Sequence, residues 1–219
     1  MNPLGLIPAA LSPGPWAAVA LLGAVHGLDP AMGWLFAVAR GLQEQDRRVV
    51  LRSLLPLALG HELSLAIVVG PLILGSAFVA AGTLRLAAAG LLIGFGAFRL
   101  ARRRHPGWVG MRIGQRELVA WSFLMASAHG AGLMVMAPVL GMLPPAGDSL
   151  VLQAGPGQLL LVAGAALLVH VTATVLVMGT IALVVFERLG LDFLRRAWLN
   201  LDEMWALALV GAGGLTLFT

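Results

Sequence analysis

The chain contains no cysteine. Disulfides, thiolate metal sites and thiol redox chemistry are therefore excluded. It also contains no lysine, and all 14 of its basic side chains are arginine. Charge is scarce altogether: 11% of the 219 residues are charged, against about 25% in a soluble domain. What fills the chain instead is apolar, at 59% hydrophobic residues. This excludes a large soluble domain. The net charge of +4 carries no case for nucleic acid, because a basic membrane protein owes its charge to cytoplasmic loops. The first residues, Met1 to Pro15, hold Pro8, Pro13 and Pro15 and no basic residue. They read as a short irregular leader, and no signal peptide is expected there.

The apolar runs have the length of membrane-spanning helices, about 20 residues at 1.5 Å rise, and are too long for barrel strands. Six are expected, at about Trp16–Ala39, Ser53–Val79, Leu84–Leu100, Glu117–Leu143, Gln158–Phe186 and Met204–Phe218. The fold expected is thus an all-α, multi-pass integral membrane protein forming a single domain. Arginine sorts sharply among the loops. Thirteen of the 14 lie in or beside the first, third and fifth loops, Arg85 falls by the second, and the fourth has none. The positive-inside rule puts the odd loops in the cytoplasm and both termini outside. The cell membrane, taken as a bacterial inner membrane, is the expected location. The Arg102-Arg103-Arg104 cluster suits anionic lipid at the inner leaflet.

An internal repeat is legible. Ala24-Val25-His26-Gly27 matches Ser127-Ala128-His129-Gly130, and Gly60-His61 with Gly70 matches Val169-His170 with Gly179. His61 follows His26 by 35 residues and His170 follows His129 by 41, the difference fitting a longer fourth loop. Repeat one covers about 16–100 and repeat two about 117–218. With three spans each, the halves enter from opposite sides, which makes a 3+3 inverted-topology repeat, an architecture of secondary transporters with midplane sites.

The histidines carry the chemistry. His26 is ten residues past Trp16, His61 nine past Arg52, His129 twelve past Glu117 and His170 twelve past Gln158. Each therefore lies roughly 14 to 18 Å into a core about 30 Å thick. Four imidazoles on four helices share one level, and Asp29, three residues after His26, shares its helical face. A lone Asp at that depth costs about 2.5 to 3.5 kcal/mol on insertion scales. Imidazole and carboxylate together are ligands for borderline divalent ions such as Ni, Co, Zn, Fe or Cu. The candidate metal residues are His26, Asp29, His61, His129 and His170. Glu62, Ser64, Thr172, Thr174 and Met134 are candidates for lining or second-layer roles, with interhelical packing as the plain alternative for the hydroxyls and the thioether. Met32, Met136 and Met178 are read as gap fillers before copper ligands, and His105 is set aside as a loop residue. Pro30 and Pro138 lie within spans and free carbonyls there.

The six-span arrangement with titratable groups early in the first and fourth spans resembles the LysE superfamily of small transporters. His26-Gly27-Leu28-Asp29 is similar to the His/Asp signature of its nickel/cobalt (NicO-like) branch. Pro30 stands where the metal-transporting members carry a second histidine, and the paired cysteines of the thiol-redox relatives are missing. The resemblance implies a transporter rather than an enzyme. The function expected is proton-coupled secondary transport of a divalent transition-metal ion. Partners are the bilayer and the transported ion, and a homo-oligomer is compatible with the sequence. Two alternatives stay open: export of a small amino-acid-like solute with a histidine proton relay, and a membrane b-type haem carrier with two histidines per haem. A membrane subunit using the polar cluster only for packing is the bland reading.

Overall fold

The computed structural model describes residues 13–76, 81–101, 114–142 and 156–189, with Leu207, Val210, Gly211 and Gly214 as further helical positions. All regular structure among them is helical. Helix α1 spans Pro13–Leu28, α2 Trp34–Glu44, α3 Arg47–Ser76, α4 Ala81–Ala101, α5 Gln115–His129, α6 Ala131–Gly141 and α7 Pro156–Val184. A π-helical turn, Val185–Leu189, extends α7. Among the described residues, α3 and α7 are long and apolar enough to cross a membrane, and the bent pair α5–α6 makes a third if taken as one span. The expected sixth span, the Arg102–Arg104 cluster, His105 and the loop around Asp148 lie almost wholly outside the described residues.

The expected first span, Trp16–Ala39, is two helices rather than one. Helix α1 stops at Leu28, a 3₁₀ turn covers Pro30–Met32, and α2 starts after Gly33 at φ 111°. Pro30 has no N–H to continue the helical ladder, and glycine takes the left-handed backbone without a Cβ clash. The break satisfies its own polar groups. Asp29 Oδ1 accepts the Ala31 N–H at 2.8 Å, and the Trp34 indole donates to the Leu28 carbonyl at 3.3 Å. Trp121, from α5, donates its indole N–H to the Ala31 carbonyl at 3.0 Å. The expected fourth span is likewise broken. Gly130, at φ 69°, ends α5 immediately after His129, and α6 leaves at 63° to it. No proline is involved. The Gly130 N–H instead closes on the Ala126 and Ser127 carbonyls, a left-handed glycine stop.

Helix α1 lies along α7 and α3 along α5, while α3 also packs on α7. Glycine permits the first two approaches. A Cβ on Gly23 would run into the His170 carbonyl oxygen, and one on Gly60 would run into that of Val119. The outward face of α3 carries Leu51, Leu55, Leu59, Leu63 and Ile67, all exposed. That of α7 carries Leu161, Leu168 and Leu176. The histidines and Asp29 are buried while these leucines face outward, an arrangement compatible with a membrane protein.

Inside are two apolar cores. One joins Val19, Leu65, Val69, Ala126, Val135 and Ala166. The other joins Trp34, Val38, Leu54, Leu57, Leu118 and Met178. Along α3, His61 falls between Leu57 of one core and Leu65 of the other; along α7, His170 falls between Ala166 and Met178. His61 and His170 thus stand between two apolar cores. Near the second core, α3 begins and α7 ends with exposed charge, including an Arg47–Glu187 pair at 3.8 Å. An exposed pair of this kind contributes about 1 kcal/mol or less.

Candidate functional site: a buried imidazole cluster

Three of the four histidines expected within spans meet. His26 comes from the last turn of α1, His61 from the middle of α3 and His170 from the middle of α7. Their ring centroids form a near-equilateral triangle: His26–His61 5.3 Å, His26–His170 5.1 Å and His61–His170 5.3 Å. None is more than 2% exposed. The His61 and His170 rings are parallel within 3°, with their Nε2 atoms 3.1 Å apart.

The fourth, His129, caps the end of α5 and sets its Nε2 3.9 Å from Asp29 Oδ2. Both are buried, at 1% exposure each. Asp29 is held by its other oxygen, which caps the 3₁₀ turn. The pair therefore spans the two helix breaks. The five residues expected to form one site are divided into a triangle of rings and a carboxylate–imidazole pair beside it.

Ring orientation is set by the main chain. His26 Nδ1 sits 2.8 Å from the Leu22 carbonyl and His129 Nδ1 2.7 Å from that of Met125, each four residues earlier. His170 Nδ1 reaches the Val19 carbonyl of α1 at 3.3 Å. A carbonyl only accepts, so each Nδ1 carries the hydrogen and donates it. In the neutral ring this leaves Nε2 as the nitrogen with a lone pair, the orientation that a backbone carbonyl commonly gives to a metal-binding histidine. His61 differs. Its Nδ1 is buried without a hydrogen-bond partner among the described residues.

The comparisons place no relative beside this cluster. No protein-family model, no curated protein and no solved structure matches the chain. Among the described residues, no three His, Asp or Glu side chains stand ready to ligate one ion in the arrangement seen. The cluster provides ring spacing without a closed cage, and because His170 Nε2 keeps its lone pair, His61 Nε2 donates the hydrogen bond between them.

The remaining candidates scatter. Thr174 is buried and donates to the His170 and Gly23 carbonyls at 2.9 and 3.0 Å, tying α7 to α1 behind the cluster. Ser64 pairs with Ser127 across α3 and α5, Oγ to Oγ at 2.8 Å. A cavity of about 180 Å³ opens beside that pair, lined also by Phe95, Val68 and Gly130. Thr172 is exposed and bonds its own helix at the Leu168 carbonyl. Met134 packs with Leu92 of α4 as a core residue. Glu62 is partly buried and its Oε1 has no hydrogen-bond partner among the described residues.

Several residues of the site's surroundings escaped the sequence reading. Ser122 donates to the Leu57 carbonyl at 2.7 Å, one turn before His61. Ser127 and Trp121 act as described above. A serine or tryptophan in an apolar run gives no local sign of its partner. The carbonyl that Trp121 meets is 90 residues away.

Proposed function

We propose that this chain is a six-span secondary transporter that carries a divalent transition-metal ion through the histidine layer. The ion is cargo. One observation carries the reading: three buried imidazoles from three helices with centroids 5.1 to 5.3 Å apart. For an ion bound tetrahedrally at an M–N distance of about 2.0 to 2.1 Å, ring centres stand about 5.2 Å apart. The His61–His170 Nε2 separation of 3.1 Å is close to the edge of such a tetrahedron, about 3.3 Å. Rotation of rings already at the right spacing closes the cage. The same 3.1 Å leaves no room for a porphyrin plane between those nitrogens, which weighs against haem at that pair.

The packing supports the inverted repeat. If the first span answers to the fourth and the second to the fifth, a two-fold operation exchanges the first–fifth pair with the second–fourth pair. These are the α1·α7 and α3·α5 pairs that pack most closely. His61 and His170 then face one another across the axis, which suits their parallel planes. Two helices broken next to equivalent histidines, His26 and His129, suit the discontinuous spans of such transporters. Both termini are read as non-cytoplasmic from the arginine distribution. Exchange for protons follows from ligand chemistry, since an imidazole nitrogen gives up its proton to bind a metal.

The test is ion flux into liposomes carrying the full-length protein and a metal-sensitive dye, with Ni²⁺, Co²⁺, Zn²⁺, Fe²⁺ and Cu²⁺ offered in turn. Flux of at least one ion that disappears in folded His170→Ala is the expected result. No flux of any of them, and no binding by the purified wild type, overturns the proposal.

A further inference from the structure

Resting on the metal-transport reading, we infer that the ion is held by four imidazoles, His26, His61, His129 and His170. Asp29 is then a positioning residue that competes for the fourth ring, and not a ligand.

The two outer histidines, His26 and His129, each stand beside a helix break. His26 and His129 are equivalent in the sequence repeat and are treated alike by the fold. Each sits in the final turn of its helix, next to a break, with Nδ1 donating to the carbonyl four residues before. Each therefore aims its Nε2 away from its own main chain. On the inner pair, His61 and His170 already face each other. A two-fold related set of four rings follows if His129 stands to the inner pair as His26 does.

The carboxylate breaks this equivalence. His129 lies 103 positions after His26, and the position 103 after Asp29 is Gly132. No side chain would fit there: a Cβ on Gly132 would come 2.7 Å from the Cβ of Val68. Asp29 thus has no counterpart carboxylate at Gly132, and its Oδ2 lies 3.9 Å from the Nε2 of His129. Asp29 is itself anchored to the break, through Oδ1 and the Ala31 N–H. Any movement of the Pro30–Met32 turn relative to α5 carries the carboxylate away from His129. The ring is then released toward the other three without a change in its own Nδ1 bond. Four nitrogen donors around one centre favour an ion content with tetrahedral coordination, Zn²⁺ or Co²⁺, over one that demands six oxygen-rich ligands.

The experiment is X-ray absorption and affinity measurement on the purified full-length protein loaded with Zn²⁺, for wild type, Asp29→Asn and His129→Ala. Asparagine keeps a cap acceptor for Ala31 and removes the carboxylate facing His129. The expected result is four imidazole scatterers in the wild type and in Asp29→Asn, with affinity in Asp29→Asn unchanged or tighter. His129→Ala falls to three imidazoles and loses affinity by about tenfold or more. A carboxylate oxygen in the wild-type shell that is lost in Asp29→Asn, or an unchanged imidazole count in His129→Ala, overturns the inference while leaving metal transport standing. A folded wild type that binds no Zn²⁺ or Co²⁺ but transports another ion overturns the inference alone. A folded wild type that neither binds nor transports any of the five ions overturns both.

Discussion

The Nε2 atoms of His61 and His170 face each other at 3.1 Å from rings parallel within 3°, although 109 residues separate them in the chain. In the proposed site both nitrogens serve one ion. We expect His61→Ala and His170→Ala each to lower divalent-cation affinity by about tenfold or more. The double variant should lose little beyond either single one, because residues that act as a unit are not additive. Titration calorimetry of the three variants checks this, and additive losses would place the two rings in separate sites.

Close helix approach at Gly60 has no slack. A methyl group there would meet the Val119 carbonyl oxygen and lie 2.9 Å from the Phe123 nitrogen. Gly60→Ala is expected to destabilise the protein by about 1 to 3 kcal/mol, the usual cost of overpacking. Gly164, on α7, has nothing within 4 Å of a built Cβ. Gly164→Ala should be neutral, or stabilising by up to about 1 kcal/mol from helix propensity. Thermal unfolding in detergent separates the two, and equal behaviour would refute the packing argument.

The indole of Trp121 satisfies a carbonyl freed by the α1–α2 break. Trp121→Phe keeps most of the ring, which also stacks edge-on with Phe36 at 5.0 Å, and removes only the donor. We expect a loss of about 1 to 3 kcal/mol, the cost of a buried carbonyl left unmatched. Unfolding measurements should show it. A variant as stable as wild type means that the Ala31 carbonyl has found another donor.

Because the chain has no cysteine, single cysteines report topology without background. Gly14, at the start of α1, and Arg48, at the start of α3, are both exposed. With the non-cytoplasmic termini proposed here, Gly14→Cys reacts with an impermeant maleimide in intact cells, and Arg48→Cys reacts only after permeabilisation. The reverse pattern would invert the topology.

Position along each helix was legible because a helix converts residue number into height. Counting from Trp16, Arg52, Glu117 and Gln158 puts His26, His61, His129 and His170 well inside their apolar runs, and the fold sets His61 and His170 between two apolar cores. Counting gives no azimuth. It put five residues into one site, whereas the fold sets His129 against Asp29 beside a triangle of the other three. The break after Leu28 is foreshadowed by Pro30. The break at Gly130 is not, since a glycine in an apolar run serves a helix interior, a close approach or a stop equally well. Gly60 and Gly130 differ only in what their neighbours do. The tautomers of His26 and His129 are local, each set by a carbonyl four residues back.

The pairing of α1 with α7 and α3 with α5 also bears on how the molecule is made. During synthesis α1 emerges with its Gly23 and Gly27 face bare, and the helix that covers it is encoded more than a hundred residues later. The Gly60 face of α3 waits likewise for α5. Until then neither half has its closest neighbour, and the imidazoles and Asp29 are without the helices that bury them. Residues 1–101 expressed alone should accordingly be a substrate for membrane quality-control proteases, and co-expression of the complementary fragment should rescue both.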